Sequence, residues 1–215
     1  MNFASYFPIW NKLNEQEQAL LKNSVYEKNI EAGTLVKSGG DCLGLMLVKS
    51  GQLRAYVQSD DGKEVTLYRL LSRDMCLFSA SCMMKNIQFD VSISAEKDTS
   101  VWVIPLDVYE NLMKNLAIVA NYTNELMSAR FTDVMWLIEQ IMWKSFDKRL
   151  AEFLVEESAV EESDELNITH EQIARHLGTA REVVTRMLKY FQMEGMVTLE
   201  RGVVKIISRD KLLKV

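Results

Sequence analysis

One stretch constrains the fold of this chain more than any other: residues 169–191, THEQIARHLGTAREVVTRMLKYF. Thr169 followed three residues later by Gln172 has the spacing of a capping box, and Thr179 followed by Glu182 repeats it, so two successive helix starts are predicted. Gly178 lies between them and can take a left-handed backbone, while Ala174 lets the partner helix approach closely. Ile173, Leu177, Val184, Met187 and Leu188 then point inward. That leaves Arg181, Glu182, Thr185, Arg186 and Lys189 on the outer face of the second helix, which is polar, long-armed and mostly basic. An Arg can fork onto a guanine and a Glu can accept from a cytosine amine, so this face suits base edges. The stretch points to a DNA-reading helix-turn-helix; the plainer alternative is a pair of amphipathic helices in which Arg186 is merely solvated.

The net charge of −5 seems to oppose nucleic acid, but the average hides a split. Up to residue 169 there are 16 Lys+Arg against 25 Asp+Glu, and from 170 onward 9 against 5. An acidic body with a basic end is what a DNA module joined to a regulatory domain would show. Within that end, residues 197–199 and 203–207 flank Glu200-Arg201-Gly202 as a hairpin, which reads as a wing with Arg201 at its tip, near phosphate.

Upstream, Asn14 with Glu17 caps a short helix over residues 14–22. The period then changes to two. Residues 45–50, 52–58, 64–71, 91–95 and 99–105 read as short strands separated by tight turns, DDGK being the firmest, and so predict a small antiparallel barrel or sandwich. From residue 106 to 143 the pattern is helical. Its lower part, Val134-Met135-Trp136-Leu137-Ile138 and then Ile141, Met142 and Trp143, is apolar all round and must be covered on two sides. One cover is the strand domain, and the simplest second cover is the same helix of another copy across a two-fold axis. Arg130 and Asp133 interrupt the stripe. Ser145 or Asp147 caps a further helix to about residue 157, and EESAVEESDE after it is expected to be a solvated acidic loop.

In this order of parts, with IARHLGTAREVVTRMLKYF and EGMVTLERGVVKI, the chain resembles the CRP/FNR family of bacterial transcription regulators over essentially its whole length. The resemblance implies an α+β protein: a β-roll of the jelly-roll or cupin-like kind (a double-stranded β-helix) over residues 1–115, a dimerisation helix over 116–144 and a winged helix-turn-helix over 145–215. It implies that Arg181, Glu182 and Arg186, with Thr185 beside the last Arg, read the major groove at a half-site near TTGA or TGTGA. Thr169, His170, Thr179, Lys189 and Arg201 are expected at phosphates. The implied partners are double-stranded DNA, a second copy of the chain and RNA polymerase.

The sensing half departs from that family's cyclic-nucleotide binders. Where their Gly-Glu and Arg-Ser pairs hold ribose and phosphate, this chain has Leu77 and Phe78, then Phe89 and Asp90. An anion there would be desolvated without a compensating pair, so cyclic AMP is not expected as the signal. Iron–sulfur members use about four Cys, mostly N-terminal, and this chain has only Cys42, Cys76 and Cys82. Both His residues, His170 and His176, fall in the DNA module and read as helix-surface residues, so haem is not supported either. No cofactor and no metal is expected. Met75, Cys76, Phe78, Cys82 and Phe89, with Val134 and Met135 from the long helix, admit three readings: an ordinary packed core, a site for a small apolar effector, or redox sensing by Cys76 and Cys82.

Two rival functions are weaker. A metabolite-binding subunit without DNA output would not need the basic winged module. An enzyme would need a nucleophile elbow, a metal cluster or a phosphate loop, and the sequence offers none. No segment approaches a membrane span and no leader pattern opens the chain, so a cytoplasmic location is expected.

Overall fold

The computed structural model describes residues 2–37, 43–79 and 90–215. By their contacts these fall into two units: Met1–Gln58 with Leu67–Met135, and Ser59–Thr66 with Trp136–Val215. The first unit opens on two short 3-10 turns and the helix α1 (Glu15–Ser24), which has the full Asn14–Glu17 capping box. Eight strands follow: β1 (Tyr26–Ile30), β2 (Leu35–Lys37), β3 (Leu45–Ser50), β4 (Leu53–Gln58), β5 (Glu64–Leu70), β6 (Met75–Cys76), β7 (Ser92–Ala95) and β8 (Thr99–Ile104). They form two four-stranded sheets, ordered β1-β8-β3-β6 and β2-β7-β4-β5, which is the expected β-roll. Strands β1, β2 and β6 were not legible in the sequence. β1 is exposed at four of its five positions and so carries no alternation, and β6 is only two residues long.

Strand β3 is buried on both faces, and this divides the apolar residues into two cores. Leu45 and Leu47 pack with Phe3, Phe7, Trp10, Met75, Leu77, Tyr109 and Leu112. Met46 and Val48 pack into the roll interior with Tyr68, Leu70, Cys76, Phe78, Ile93 and Val103. Because successive strand residues point to opposite faces, Met75 and Leu77 lie in one core and Cys76 and Phe78 in the other. Met75 therefore does not share a pocket with Cys76 and Phe78, contrary to the expectation that the sulfur-rich run lines one site. Cys42, Cys82 and Phe89 lie outside the described residues.

Two helices complete this part of the chain, α2 (Leu106–Asn115) and α3 (Ala117–Trp143). On α3, Arg130 and Asp133 pair with each other at 2.9 Å, and the Arg130 guanidinium lies 4.5 Å from the ring centre of Tyr68. The two charges that seemed to interrupt the apolar stripe belong to the helix face that meets the roll. Val134 is half-buried and Met135 is exposed.

The second unit contains α4 (Phe146–Val160), β9 (Glu165–Leu166), α5 (His170–Leu177), α6 (Arg181–Met193), the hairpin of β10 (Val197–Glu200) and β11 (Val203–Ile206), and α7 (Arg209–Leu212). Its core is Leu150, Leu154, Ile173, Ala174, Val184, Leu188, Phe191, Val197 and Val204. One expectation fails here. The first half of EESAVEESDE is the last turn of α4, with Glu157 and Ser158 buried, and its end is strand β9 on the wing sheet. The reason is tertiary: Arg209 reaches back to donate to Ser158 Oγ at 2.7 Å and pairs with Asp164 at 2.7 Å, which draws the acidic stretch onto the fold.

Candidate nucleic-acid interface

Helix α5 begins as its sequence dictates. Thr169 Oγ1 accepts from the Gln172 amide at 3.2 Å, and Gln172 Oε1 accepts from the Thr169 amide at 2.8 Å. The threonine hydroxyl is thereby committed to the cap and donates onward to the same Gln172 oxygen. Helix α5 ends at Gly178, with φ +66 and a 3.1 Å bond from the Thr179 amide back to the Ala174 carbonyl. A Cβ at Gly178 would fall 2.6 Å from Val65 Cγ2, so space as well as backbone conformation excludes a side chain there. Around this elbow Leu177 forms an isolated bridge with Val65, and Arg149 Nη1 donates to the Leu177 carbonyl at 3.2 Å. A cation on an orphan carbonyl at a helix C-terminus is the favourable arrangement.

The second predicted capping box is not formed. Helix α6 starts at Arg181 behind Ala180, with no side-chain cap, and Thr179 is half-buried at the elbow. Thr179 is held in the turn by the sharp reversal after Gly178, one residue too early to serve as the cap. Glu182 consequently stands exposed in the first turn of α6, where a carboxylate is favoured by the helix dipole.

The outer face of α6 carries Arg181, Glu182, Arg186 and Lys189, all exposed, with Thr185 half-buried among them. Thr185 Oγ1 donates to the Arg181 carbonyl at 2.9 Å, so its oxygen must accept from His170 Nδ1, also at 2.9 Å. His170 is therefore a half-buried link between the two helices rather than a free surface residue. Burial, and then the nearby Arg181 and Lys189, hold its pKa below the ordinary value. His176, also read as a surface residue, is half-buried, stacked on Phe153 with ring centres 5.3 Å apart and bonded through Nδ1 to Thr66 Oγ1 at 2.9 Å. The wing is formed as expected, Glu200 pairing with Val203 and exposed Arg201 at its turn.

In the roll, Cys76 is fully buried and its thiol is pushed up to about 11, chiefly by that burial. This is the reverse of the exposed, acidified thiol that redox sensing requires. Sequence reading missed two cations: Lys37, 3 % exposed, and Arg130 over Tyr68. Among the described residues no group of His, Cys, Asp and Glu is placed to hold a metal, and no helix is long and apolar enough to cross a membrane.

A capped helix, a glycine elbow, a second helix with a polar basic face and a two-stranded wing define a winged helix-turn-helix protein, here joined to a β-roll. The comparisons with known proteins agree with that class in each half. The Crp-like helix-turn-helix domain matches residues 148–215 and the Cyclic nucleotide-binding domain matches residues 27–115. A crystal structure of a regulator of the crp/fnr family from Eubacterium rectale is 57% identical, covers 98% of each chain and superposes with a TM-score of 0.95. The chain belongs to the CRP/FNR family of DNA-binding transcription regulators. More distant relatives include the regulatory protein HlyX of Actinobacillus pleuropneumoniae, 25% identical over 93% of this chain and 86% of that one. The transcriptional activator protein anr of Pseudomonas aeruginosa is 28% identical over 85% and 77%. A CooA mutant from Carboxydothermus hydrogenoformans shares the fold, with a TM-score of 0.68, 21% identity and coverage of 96% and 94%.

Proposed function

We propose that this chain acts as a homodimer on a palindromic operator, with α6 of each copy in the major groove and a signal at the β-roll setting its affinity. The observation that carries the reading is the apolar stripe left uncovered on α3. Phe131, Met135, Ile138 and Met142 recur at intervals of four, three and four residues and are 68%, 46%, 42% and 64% exposed. Trp143 adds a further ring at 77%. A contiguous apolar surface of this kind marks an interface, and its alternation of four- and three-residue steps is that of two helices packed along a seam.

In this reading Arg181, Glu182 and Arg186 meet base edges. The Thr185 hydroxyl is spent within the protein, so its methyl is what it offers a base, as thymine contact requires. Lys189 and Arg201 meet phosphates, together with the free amides at the start of α5, while His170, its Nδ1 proton given to Thr185, ties the two helices together. Thr169 contributes through that amide cluster and not through its hydroxyl, and Thr179 through the shape of the elbow. The signal, which is not cyclic AMP, acts on the roll and on α3. The dimer works in the cytoplasm and touches RNA polymerase when it regulates. The test is sedimentation of the full chain beside operator binding. Wild type is expected to sediment as a dimer, and Ile138→Glu with Met142→Glu as a monomer whose operator affinity falls at least tenfold. A wild-type monomer with full operator affinity would refute the dimer.

A further inference from the structure

Half-buried Thr185 sits among the exposed Arg181, Glu182, Arg186 and Lys189 on the outer face of α6. A threonine in a helix divides between two side-chain rotamers, because its hydroxyl can reach a carbonyl of the preceding turn in either. The bond from Thr185 Oγ1 to the Arg181 carbonyl therefore does not by itself decide where the methyl stands. His170 decides it. Its Nδ1 lies 2.9 Å from Thr185 Oγ1, and a donor at that place selects the rotamer that turns Oγ1 towards α5, which fixes Cγ2 as well. The donor is itself firmly placed. His170 is the first residue of α5, and the Thr169–Gln172 capping box holds the backbone on which it stands. Ile173 and Ala174 of α5 share one core with Val184 and Leu188 of α6, so packing sets the spacing of the two helices.

A hydroxyl has one hydrogen, and Thr185 has given its own to Arg181, so it has none to donate to a thymine O4 or a purine N7. Its methyl is what it brings to recognition, and the thymine C5-methyl is the base feature that an apolar contact reads. We infer that His170 is a positioning residue for base recognition, acting through Thr185 by holding its methyl in the orientation that meets thymine. The inference rests on the reading of Thr185 as a thymine contact. It places a determinant of specificity on the first helix of the module.

The test uses an operator selected from random duplexes, with its thymines replaced one position at a time, in both halves, by deoxyuracil, which removes only the methyl. With the full-length wild type, one such replacement should weaken binding by about fourfold per half-site, the worth of one buried methyl. Thr185→Ala should abolish that loss and so mark the position. There His170→Ala should bind the thymine and uracil duplexes alike, while losses at other thymines stay as in wild type. His170→Asn, whose amide nitrogen can stand in for Nδ1, should keep most of the discrimination. Valine holds one rotamer in a helix without an outside donor, so Thr185→Val combined with His170→Ala should recover it. A merely structural His170 would lower affinity for both duplexes equally and leave their ratio intact; that result overturns the inference, as does a double variant with no recovery. Wild type that loses nothing at any thymine removes the thymine reading itself. A loss that survives His170→Ala keeps that reading and overturns the positioning role.

Discussion

His170 donates through Nδ1 to Thr185 Oγ1 across 2.9 Å, tying the first helix of the helix-turn-helix to the middle of the second. The threonine proton is already given to the Arg181 carbonyl, so the contact requires the Nδ1-protonated imidazole. Replacing His170 by Ala should cost about 0.5–1.5 kcal/mol of stability in the DNA module, while His170→Asn, which keeps a donor, should cost less. Chemical denaturation of the three proteins compares them directly.

The same histidine gives a pH dependence. Its folded pKa lies below the ordinary 6.5, first because of burial and then because of Arg181 and Lys189. Below 6.5 the unfolded chain therefore takes up the proton more readily than the folded one. The stability of the module should be full above that value and decline as pH falls through 6.5, levelling once the folded imidazole also protonates. Denaturation midpoints between pH 7.5 and pH 5, buffers chosen on the order of half a unit apart, should show this fall in wild type and a smaller one in His170→Asn.

Arg186 and Lys189 are both exposed on α6 yet should fail differently. Arg186→Ala should cost about 1–3 kcal/mol on the operator and flatten the preference at one base position per half-site. Lys189→Ala should weaken operator and random duplex alike and lower the slope of log K against log salt by about 1 per subunit. Salt titrations on both duplexes distinguish the two effects.

Gly178 is fixed twice over, by φ +66 and by Val65 Cγ2 at 2.6 Å from its would-be Cβ. Gly178→Ala should cost about 1–2 kcal/mol from backbone strain alone, and more with the clash. Val65→Ala in that background should recover only the steric part. If the double variant is as stable as Val65→Ala alone, the left-handed backbone contributes nothing.

Two ion pairs of nearly equal length should behave unequally. Arg209 meets Asp164 at 2.7 Å and also donates to Ser158 Oγ, a residue only 1% exposed. Removing that side chain should cost about 1–2 kcal/mol, because a buried hydroxyl loses a charged partner. Lys63 and Asp61, 2.6 Å apart with side chains 61% and 60% exposed, should show no measurable loss on Lys63→Ala. Urea midpoints of the two variants check the contrast.

The DNA module was legible because its determinants are local. Thr169 and Gln172 are three residues apart, Gly178 turns the chain by its own conformation, and the face of α6 follows from helical period. The error over Thr179 as a cap came from a turn that consumes the residue before α6 begins, whereas the acidic stretch, His170 and His176 were misread because their partners, Arg209, Thr185 and Thr66, are remote in sequence. In the roll the two overlooked cations are remote in sequence: Lys37 comes from a strand and Arg130 from a helix. Arg130 looked like a flaw in an apolar stripe because the sequence does not say which face of α3 meets the roll. The split of Met75 from Cys76 likewise depends on strand β6, too short to announce its parity.

Selection of binding sites from random duplexes by the full-length protein tests the central claim most directly. The expected result is an inverted repeat whose half-site centres lie about 34 Å, one DNA turn, apart, with Arg186→Ala losing the preference at one position of each half. Enrichment of a single unpaired site, or no enrichment above random duplex, would contradict it.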